Sequence, residues 1–132
     1  MALGSNLGDR AAHLAHARER LAALPGTRLA AASRVEETAP LGGLPQGPYL
    51  NQMVVLETTL TPRALLAACR AIEVERGRER HERWGSRTLD LDIVRFGERA
   101  VDEPGLTIPH PELPRRDFWL REIAELEAVS HV

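Results

Sequence analysis

The 132-residue sequence contains no lysine, so all 17 of its basic residues are arginine. This absence excludes a Walker A lysine, a protein-kinase lysine and a Schiff-base lysine. If the chain binds phosphate, arginine side chains and metal ions must hold it. Arginine suits this task because its planar guanidinium can donate two parallel hydrogen bonds to one phosphate. The arginine bias is equally consistent with codon usage or adaptation to heat.

Cysteine, strong net charge and long apolar segments are also lacking. The single cysteine, Cys69, excludes an internal disulfide and a metal site built on a cysteine cluster. No apolar run approaches the ~20 residues of a membrane helix, and Met1 to Asp9 do not resemble a signal peptide. The net charge of −2 is unlike that of a nucleic-acid-binding polycation. These features predict one cytoplasmic domain over residues 1–132 that binds neither nucleic acid nor membrane. We expect a monomer, although composition does not determine the oligomeric state.

Hydrophobic periodicity predicts the order strand, helix, strand, strand, helix, strand, helix. Asp9 and Thr61 are expected to cap the first two helices, and Pro62 to open the second. The segment after Phe96 is predicted to be a proline-rich connection. The predicted elements are a strand ending at Met1–Leu3, a helix from Asp9 to Pro25, strands in 27–37, 49–60 and 88–96, a helix from Thr61 to Gly77, and a helix over 118–129. This order is typical of the ferredoxin-like α+β sandwich, an antiparallel sheet with helices packed on one face.

Two aspartates flank a leucine in the predicted strand over 88–96. Side chains alternate along a strand, so Asp90 and Asp92 should share one face, with their Cα atoms ~6.6–6.8 Å apart. Two carboxylates at this spacing can share two Mg²⁺ ions, which lie ~3.5–4 Å apart in two-metal sites. The alternative is a solvated face of an edge strand. Aspartate is a poor strand former, which favours a functional explanation.

An arginine-rich loop, residues 77–87, precedes the aspartates. Arginines and metal ions together can neutralise a polyphosphate from several sides, although an ordinary solvated loop has a similar composition. Gly77 and Gly85 could act as hinges, and Trp84 has little core to join. We therefore expect a mobile loop that closes over bound substrates.

Four blocks in this order resemble the 6-hydroxymethyl-7,8-dihydropterin pyrophosphokinases. The most specific is RWGSRTLDLDI at 83–93, and the resemblance spans nearly the whole chain. The other three are LGSNLGD at 3–9, TAPLG at 38–42 with YLN at 49–51, and LTIPHP at 106–111 with Arg116 and Phe118.

The resemblance implies Mg²⁺-dependent transfer of diphosphate from ATP to a reduced hydroxymethylpterin, a step of folate biosynthesis, and it implies roles for individual residues. The implied catalytic residues are Arg80, Arg87, Asp90 and Asp92, of which Asp90 and Asp92 would bind two Mg²⁺ ions together with ATP. The implied ATP-binding residues are Glu73, Arg78, Arg80, Trp84, Arg87, Thr107, His110 and Arg116. The implied pterin-binding residues are Thr38, Ala39, Pro40, Leu41, Tyr49, Asn51 and Phe118, with Tyr49 and Phe118 on the two faces of the ring.

Two other classes remain open on the sequence alone. The arginine loop could serve a ferredoxin-like RNA-binding module, but the net charge is acidic and no strand carries an aromatic pair. Asp90 and Asp92 could also serve a two-metal nuclease or phosphatase. Such sites usually recruit more acidic or histidine ligands than the sequence places near them.

Overall fold

The computed structural model describes residues 1–39, 47–77 and 88–130. Seven strands and three α-helices lie in these ranges, and a short 3₁₀ helix, Leu113–Arg115, precedes the last α-helix. The strands are β1 (Ala2–Ser5), β2 (Thr27–Ala32), β3 (Glu36–Thr38), β4 (Tyr49–Thr58), β5 (Asp90–Asp92), β6 (Val101–Glu103) and β7 (Leu106–Ile108). The α-helices are α1 (Arg10–Ala22), α2 (Pro62–Glu75) and α3 (Asp117–Ser130). Within the described ranges, no helix has the length and apolar character needed to cross a membrane.

The main sheet has the strand order β2-β4-β1-β5, and β3 pairs with the opening residues of β4. All of its pairings are antiparallel. The central strand β1 therefore has β4 on one side and β5 on the other. The predicted α+β sandwich is confirmed, and its four-stranded order is that of the ferredoxin-like pattern.

The predicted helix caps are confirmed. Asp9 Oδ1 accepts a hydrogen bond from the backbone N–H of Ala12 at 3.1 Å, which satisfies one of the free donors at the start of α1. Thr61 Oγ1 accepts from the N–H of Ala64 at 3.1 Å in the same way, and Pro62 opens α2.

The hydrophobic core has two parts, one on each face of the sheet. Leu3 of β1 belongs to the part that packs against α1 and α2. Its neighbour Ala2 points to the opposite face and packs with Trp119 and Leu126 of α3. The expectation that the helices would occupy one face is therefore wrong for α3. Its amphipathic pattern predicts a helix but does not say which face of the sheet it covers.

Two sequence predictions fail in the second half of the chain. β5 covers only three of the nine residues predicted for it, because its partner β1 pairs with it only from Ala2 to Gly4. Leu89, Leu91 and Ile93 nevertheless lie in one core cluster. The connection after Phe96, predicted to be irregular, contains the hairpin β6–β7.

Candidate active site

Asp90 and Asp92 lie on the face of the sheet that α3 covers. In the antiparallel register Asp92 is opposite Ala2 and Asp90 is opposite Gly4, and directly opposite residues project to the same face. Leu91, between them, points into the core on the other side and is 1% exposed. The predicted same-face arrangement is confirmed, and both carboxylates line a cavity of about 310 Å³.

The described residues with predicted pterin roles line this same cavity, which we call the first cavity. They are Thr38, Ala39, Tyr49, Asn51 and Phe118. Asn51 is 6% exposed, and its Nδ2 donates a hydrogen bond to Thr38 Oγ1. Tyr49 and Phe118 are partly exposed, so both rings have surface open to a ligand. Residues from β3, β4 and α3, distant in sequence, thus meet around one opening.

A second cavity, of about 350 Å³, lies beside the first. Thr107 and His110, both with predicted ATP roles, line it. Asp92 and Arg70 line both cavities. The carboxylate of Asp92, which is predicted to bind metal, and the guanidinium of Arg70 therefore lie where the two cavities adjoin.

His110 and Arg116 form a polar wall around Trp119. The His110 ring meets the Trp119 ring edge-on, with centroids 4.9 Å apart, and the Arg116 guanidinium lies 4.3 Å above the Trp119 ring. His110 Nε2 is 3.8 Å from Asp92 Oδ1, and its Nδ1 accepts a hydrogen bond from the N–H of Glu112. Burial lowers the pKa of His110; the Asp92 carboxylate opposes this effect, and the Arg116 cation adds to it. A neutral His110 thus directs its Nε2–H toward Asp92.

Glu73 lies beneath β5 and is not among the residues that line either cavity. Its carboxylate is fully buried; Oε2 accepts from the N–H of Leu91 at 2.8 Å, and Oε1 accepts from Arg70 Nη1 at 2.6 Å. The same Arg70 nitrogen donates to the carbonyl of Leu91 at 3.3 Å. These contacts attach α2 to the residue between the two aspartates. A direct contact of Glu73 with ATP stays a prediction.

The comparison with known families fits this arrangement of cavities. A family model described as 7,8-dihydro-6-hydroxymethylpterin-pyrophosphokinase (HPPK) matches residues 1–128. The chain belongs to this family. Two similar proteins, both named 2-amino-4-hydroxy-6-hydroxymethyldihydropteridine pyrophosphokinase, come from Methylorubrum extorquens and Pseudomonas aeruginosa. They are 43% and 44% identical over 126 residues, which cover 96% of this chain and 80% and 78% of theirs. A namesake from Bacillus subtilis is 40% identical and is matched over 75% of its length.

Membership of the HPPK family favours a transferase over the two classes left open by the sequence. A pyrophosphokinase needs two adjoining substrate sites, and the chain has two cavities that share Asp92 and Arg70. Neither an RNA-binding module nor a hydrolase requires a second organic substrate.

Two residues that line the candidate site were missed by sequence reasoning. Arg70 precedes Glu73 by three residues on α2, a spacing that predicts a contact along the helix. That spacing does not reveal that β5 lies above the pair. Trp119 lines the first cavity next to Phe118, although it is only 2% exposed. In the sequence, a tryptophan in an amphipathic helix indicates only core packing.

Some predicted site residues lie outside the described residues. They are Pro40 and Leu41 of the pterin set, and Arg78, Arg80, Trp84 and Arg87 of the ATP and catalytic sets. The predicted closure of the loop over 77–87 falls there as well. These assignments stay predictions.

Proposed function

We propose that this chain transfers the terminal diphosphate of ATP to the hydroxymethyl group of 6-hydroxymethyl-7,8-dihydropterin, releasing AMP, as a step of folate biosynthesis. The observation that carries the proposal is the pair of adjoining cavities with Asp92 and Arg70 in common. The first cavity would hold the pterin and the second the nucleotide. The chain would act as a monomer without nucleic acid or membrane partners.

The lining of the first cavity matches the chemistry of a pterin. The pterin has flat faces that can stack on aromatic rings, and the rings of Tyr49 and Phe118 are available. It also has an edge of alternating donors and acceptors, which an amide side chain can complement. Asn51 supplies this amide from a buried position, and its hydrogen bond to Thr38 helps to fix its orientation.

Asp90 and Asp92 fit Mg²⁺ as a donor set. Mg²⁺ prefers oxygen ligands and usually binds one or two carboxylates, with substrate phosphate oxygens and water completing its shell. The described part of the chain contains no cluster of three or more histidine, cysteine or acidic side chains, so a fully protein-built cage is not available there. Two ions bound here with ATP would neutralise charge on the attacking and leaving oxygens.

The reaction proceeds by displacement at the β-phosphorus of ATP. The pterin hydroxymethyl oxygen forms the new bond to the β-phosphorus and its proton passes to solvent. The bond from the β-phosphorus to the oxygen that it shares with the α-phosphorus breaks, and AMP leaves with that oxygen. Such transfers depend mainly on positioning and electrostatic stabilisation. Arg70 stands between the two cavities, and Arg116 and His110 lie on the wall beside it. Arg80 and Arg87 would add positive charge around the same phosphates.

An assay that separates AMP from ADP tests the proposal directly. The protein is incubated with ATP and Mg²⁺, with and without the reduced hydroxymethylpterin, and the products are resolved by chromatography. We expect equal amounts of AMP and pterin diphosphate, formed only when both substrates are present, and loss of turnover when Mg²⁺ is chelated. ADP as the product, or ATP hydrolysis that ignores the pterin, would contradict the proposal.

A further inference from the structure

Two acidic side chains, the buried Glu122 and the partly exposed Glu36, lie next to the first cavity and have no role in the chemistry above. Glu122 of α3 is 2% exposed, and neither of its carboxyl oxygens has a hydrogen-bond partner of good geometry among the described residues. Arg121, the residue before Glu122 on α3, lies 3.4 Å from both carboxyl oxygens of Glu36, so Glu36 of β3 faces this part of α3. Glu36 is also the charged group that acts on Glu122 most strongly. An ionised carboxyl in such a place is costly, because burial removes its hydration and no donor replaces it.

Glu36 and Glu122 belong to the elements that build the wall of the first cavity. Glu36 is directly opposite Asn51 in the β3–β4 register, so the two side chains share a face. Thr38, two residues along β3, lines the cavity on that same face. Glu122 follows Phe118 by four residues, which places the two on the same side of α3.

We propose that Glu36 and Glu122 share one proton, and that this carboxyl pair holds the start of α3 against β3 and so fixes the width of the first cavity. When two carboxyl groups occupy one site, the second cannot ionise without strong repulsion from the first. The shared proton converts that repulsion into a hydrogen bond. Loss of the proton would push α3 from β3 and move Phe118 away from Thr38.

The remaining charges around Glu122 do not replace the proton. Arg121 lies within 3.4 Å of both Glu36 oxygens and is largely exposed, so it compensates the ionised member of the pair. Glu125, on the next turn, is paired with Arg34. The Met1 amine lies just before β1. Among the charged groups that act on this amine, Glu122 has the smallest effect. Burial, followed by Glu36, raises the pKa of Glu122 to about 9.

The pair should affect one substrate and not the other, an inference that rests on the proposed assignment of the cavities. The residues that line the second cavity include none from β3 or α3. Deprotonation of the pair should therefore weaken pterin binding and leave nucleotide binding unchanged. Above the pKa, binding that takes up one proton weakens by up to about tenfold per pH unit.

Carbon-13 NMR of the glutamate carboxyl groups tests the pair itself. The resonance that disappears in Glu122→Gln is that of Glu122, and we expect it to titrate well above the ordinary glutamate range. In Glu36→Gln it should titrate at lower pH, but still above that range, because burial is the larger cause. Titration of Glu122 near pH 4.5 in the unmodified protein would overturn the proposal.

Calorimetry from about pH 7 to about pH 10 tests the link to the cavity. The reduced hydroxymethylpterin is titrated into the protein, its Glu122→Gln variant and the control Glu125→Gln. We expect pterin affinity to fall with pH in the protein and in the control, and to fall less in Glu122→Gln, whose amide donates to Glu36 at every pH. Titration of the pterin itself affects all three equally. Identical profiles would overturn the link.

The outcomes separate the two proposals. If no pterin binds at any pH, the proposed function fails, and with it the link to the cavity. The proton-sharing pair then stands or falls on the carbon-13 titration alone.

Discussion

The carboxylate of Glu73 accepts a hydrogen bond from the backbone N–H of Leu91, 2.8 Å away, and thereby holds β5 at the residue between the two aspartates. Strand β5 has only three residues, and its ladder partner in the described sheet is β1. A buried carboxylate from α2 thus supplements a short ladder at the point where the aspartates must be held.

Glu73→Ala should lower the free energy of unfolding by about 1–3 kcal/mol, because the N–H of Leu91 loses a buried acceptor. The half-exposed Arg70 can be rehydrated, so its lost partner adds little. Urea denaturation measures the change. Glu75→Ala, on the same helix, breaks exposed pairs with His16 and Arg20 and should cost less than ~1 kcal/mol. Equal losses in the two variants would contradict the structural role of Glu73.

Asp92→Ala should reduce turnover by at least ~100-fold, the usual effect of removing a group that stabilises transition-state charge. The strand keeps Leu89, Leu91 and Ile93 in the core, so the midpoint of thermal unfolding should barely move. AMP release at saturating Mg²⁺ provides the measurement. Glu98→Ala, at an exposed position in the turn after Phe96 that lines neither cavity, is the control and should retain full turnover. Normal turnover in Asp92→Ala would remove Asp92 from the site.

Asn51→Leu should weaken binding of the reduced hydroxymethylpterin by about 1–3 kcal/mol, because the polar edge of the ligand would face a group that cannot pair with it. Affinity for an ATP analogue should be unchanged. Calorimetry on both ligands gives the comparison. Thr58→Val, at the far end of β4, also removes a side-chain hydrogen bond, to Thr27, but lies outside the first cavity. Its pterin affinity should match that of the unmodified protein.

Gly4→Ala should weaken pterin binding without destabilising the fold. A methyl group there would lie 3.4 Å from Asn51 Oδ1 and 3.6 Å from Tyr49 Cδ1, which are ordinary contacts, so stability should change by less than ~0.5 kcal/mol. The methyl would occupy the floor of the first cavity and compete with the ligand. Thermal unfolding and pterin calorimetry on the same samples separate the two effects. Undiminished pterin affinity would show that the ligand does not reach Gly4.

Glu122→Gln should stabilise the protein at neutral pH. The pKa of Glu122 is raised from 4.5 to about 9 in the folded state. Between these two pH values, the folded state keeps a proton that the unfolded state has released. Its contribution to stability therefore falls as pH rises from 4.5 to about 9, by at most about 1.4 kcal/mol per pH unit. The Met1 amine, with a pKa lowered to about 6, acts in the opposite direction between about pH 6 and pH 8. The difference between protein and variant isolates Glu122, and a constant difference across this range would contradict the prediction.

The local parts of the fold could be predicted from the sequence. The caps Asp9 and Thr61 each satisfy a backbone donor three residues away, and the alternation around Asp90 and Asp92 is a property of one strand. The length of β5 could not be predicted, because it depends on how far β1 extends beside it.

The assembly of the site was harder to predict from the sequence, because it also depends on contacts between distant segments. Tyr49, Asn51 and Phe118 were identified through a family resemblance. Taken singly, the two aromatic residues indicate core packing, and the asparagine indicates a turn. Arg70 and Glu122 carried no signal of their own, because each matters through a partner on another element: Leu91 for Arg70 and Glu36 for Glu122. Contacts between distant segments decide such roles.

The position of Gly4 on the central strand sets a length scale for the site. Asn51 lies across from it on one side and Asp90 on the other, so their backbones are separated by two strand spacings, ~9–10 Å. The distance from the Asn51 amide, which would recognise the heterocycle, to the Asp90 carboxylate, which would bind metal, is thus set by the spacing of the strands. It does not depend on loop length. An inserted residue in β1 would turn its side chains to the wrong face, whereas loops can vary without changing this span. Engineering the protein to accept a larger heterocycle would therefore have to act through a wall that no backbone ladder fixes, such as α3.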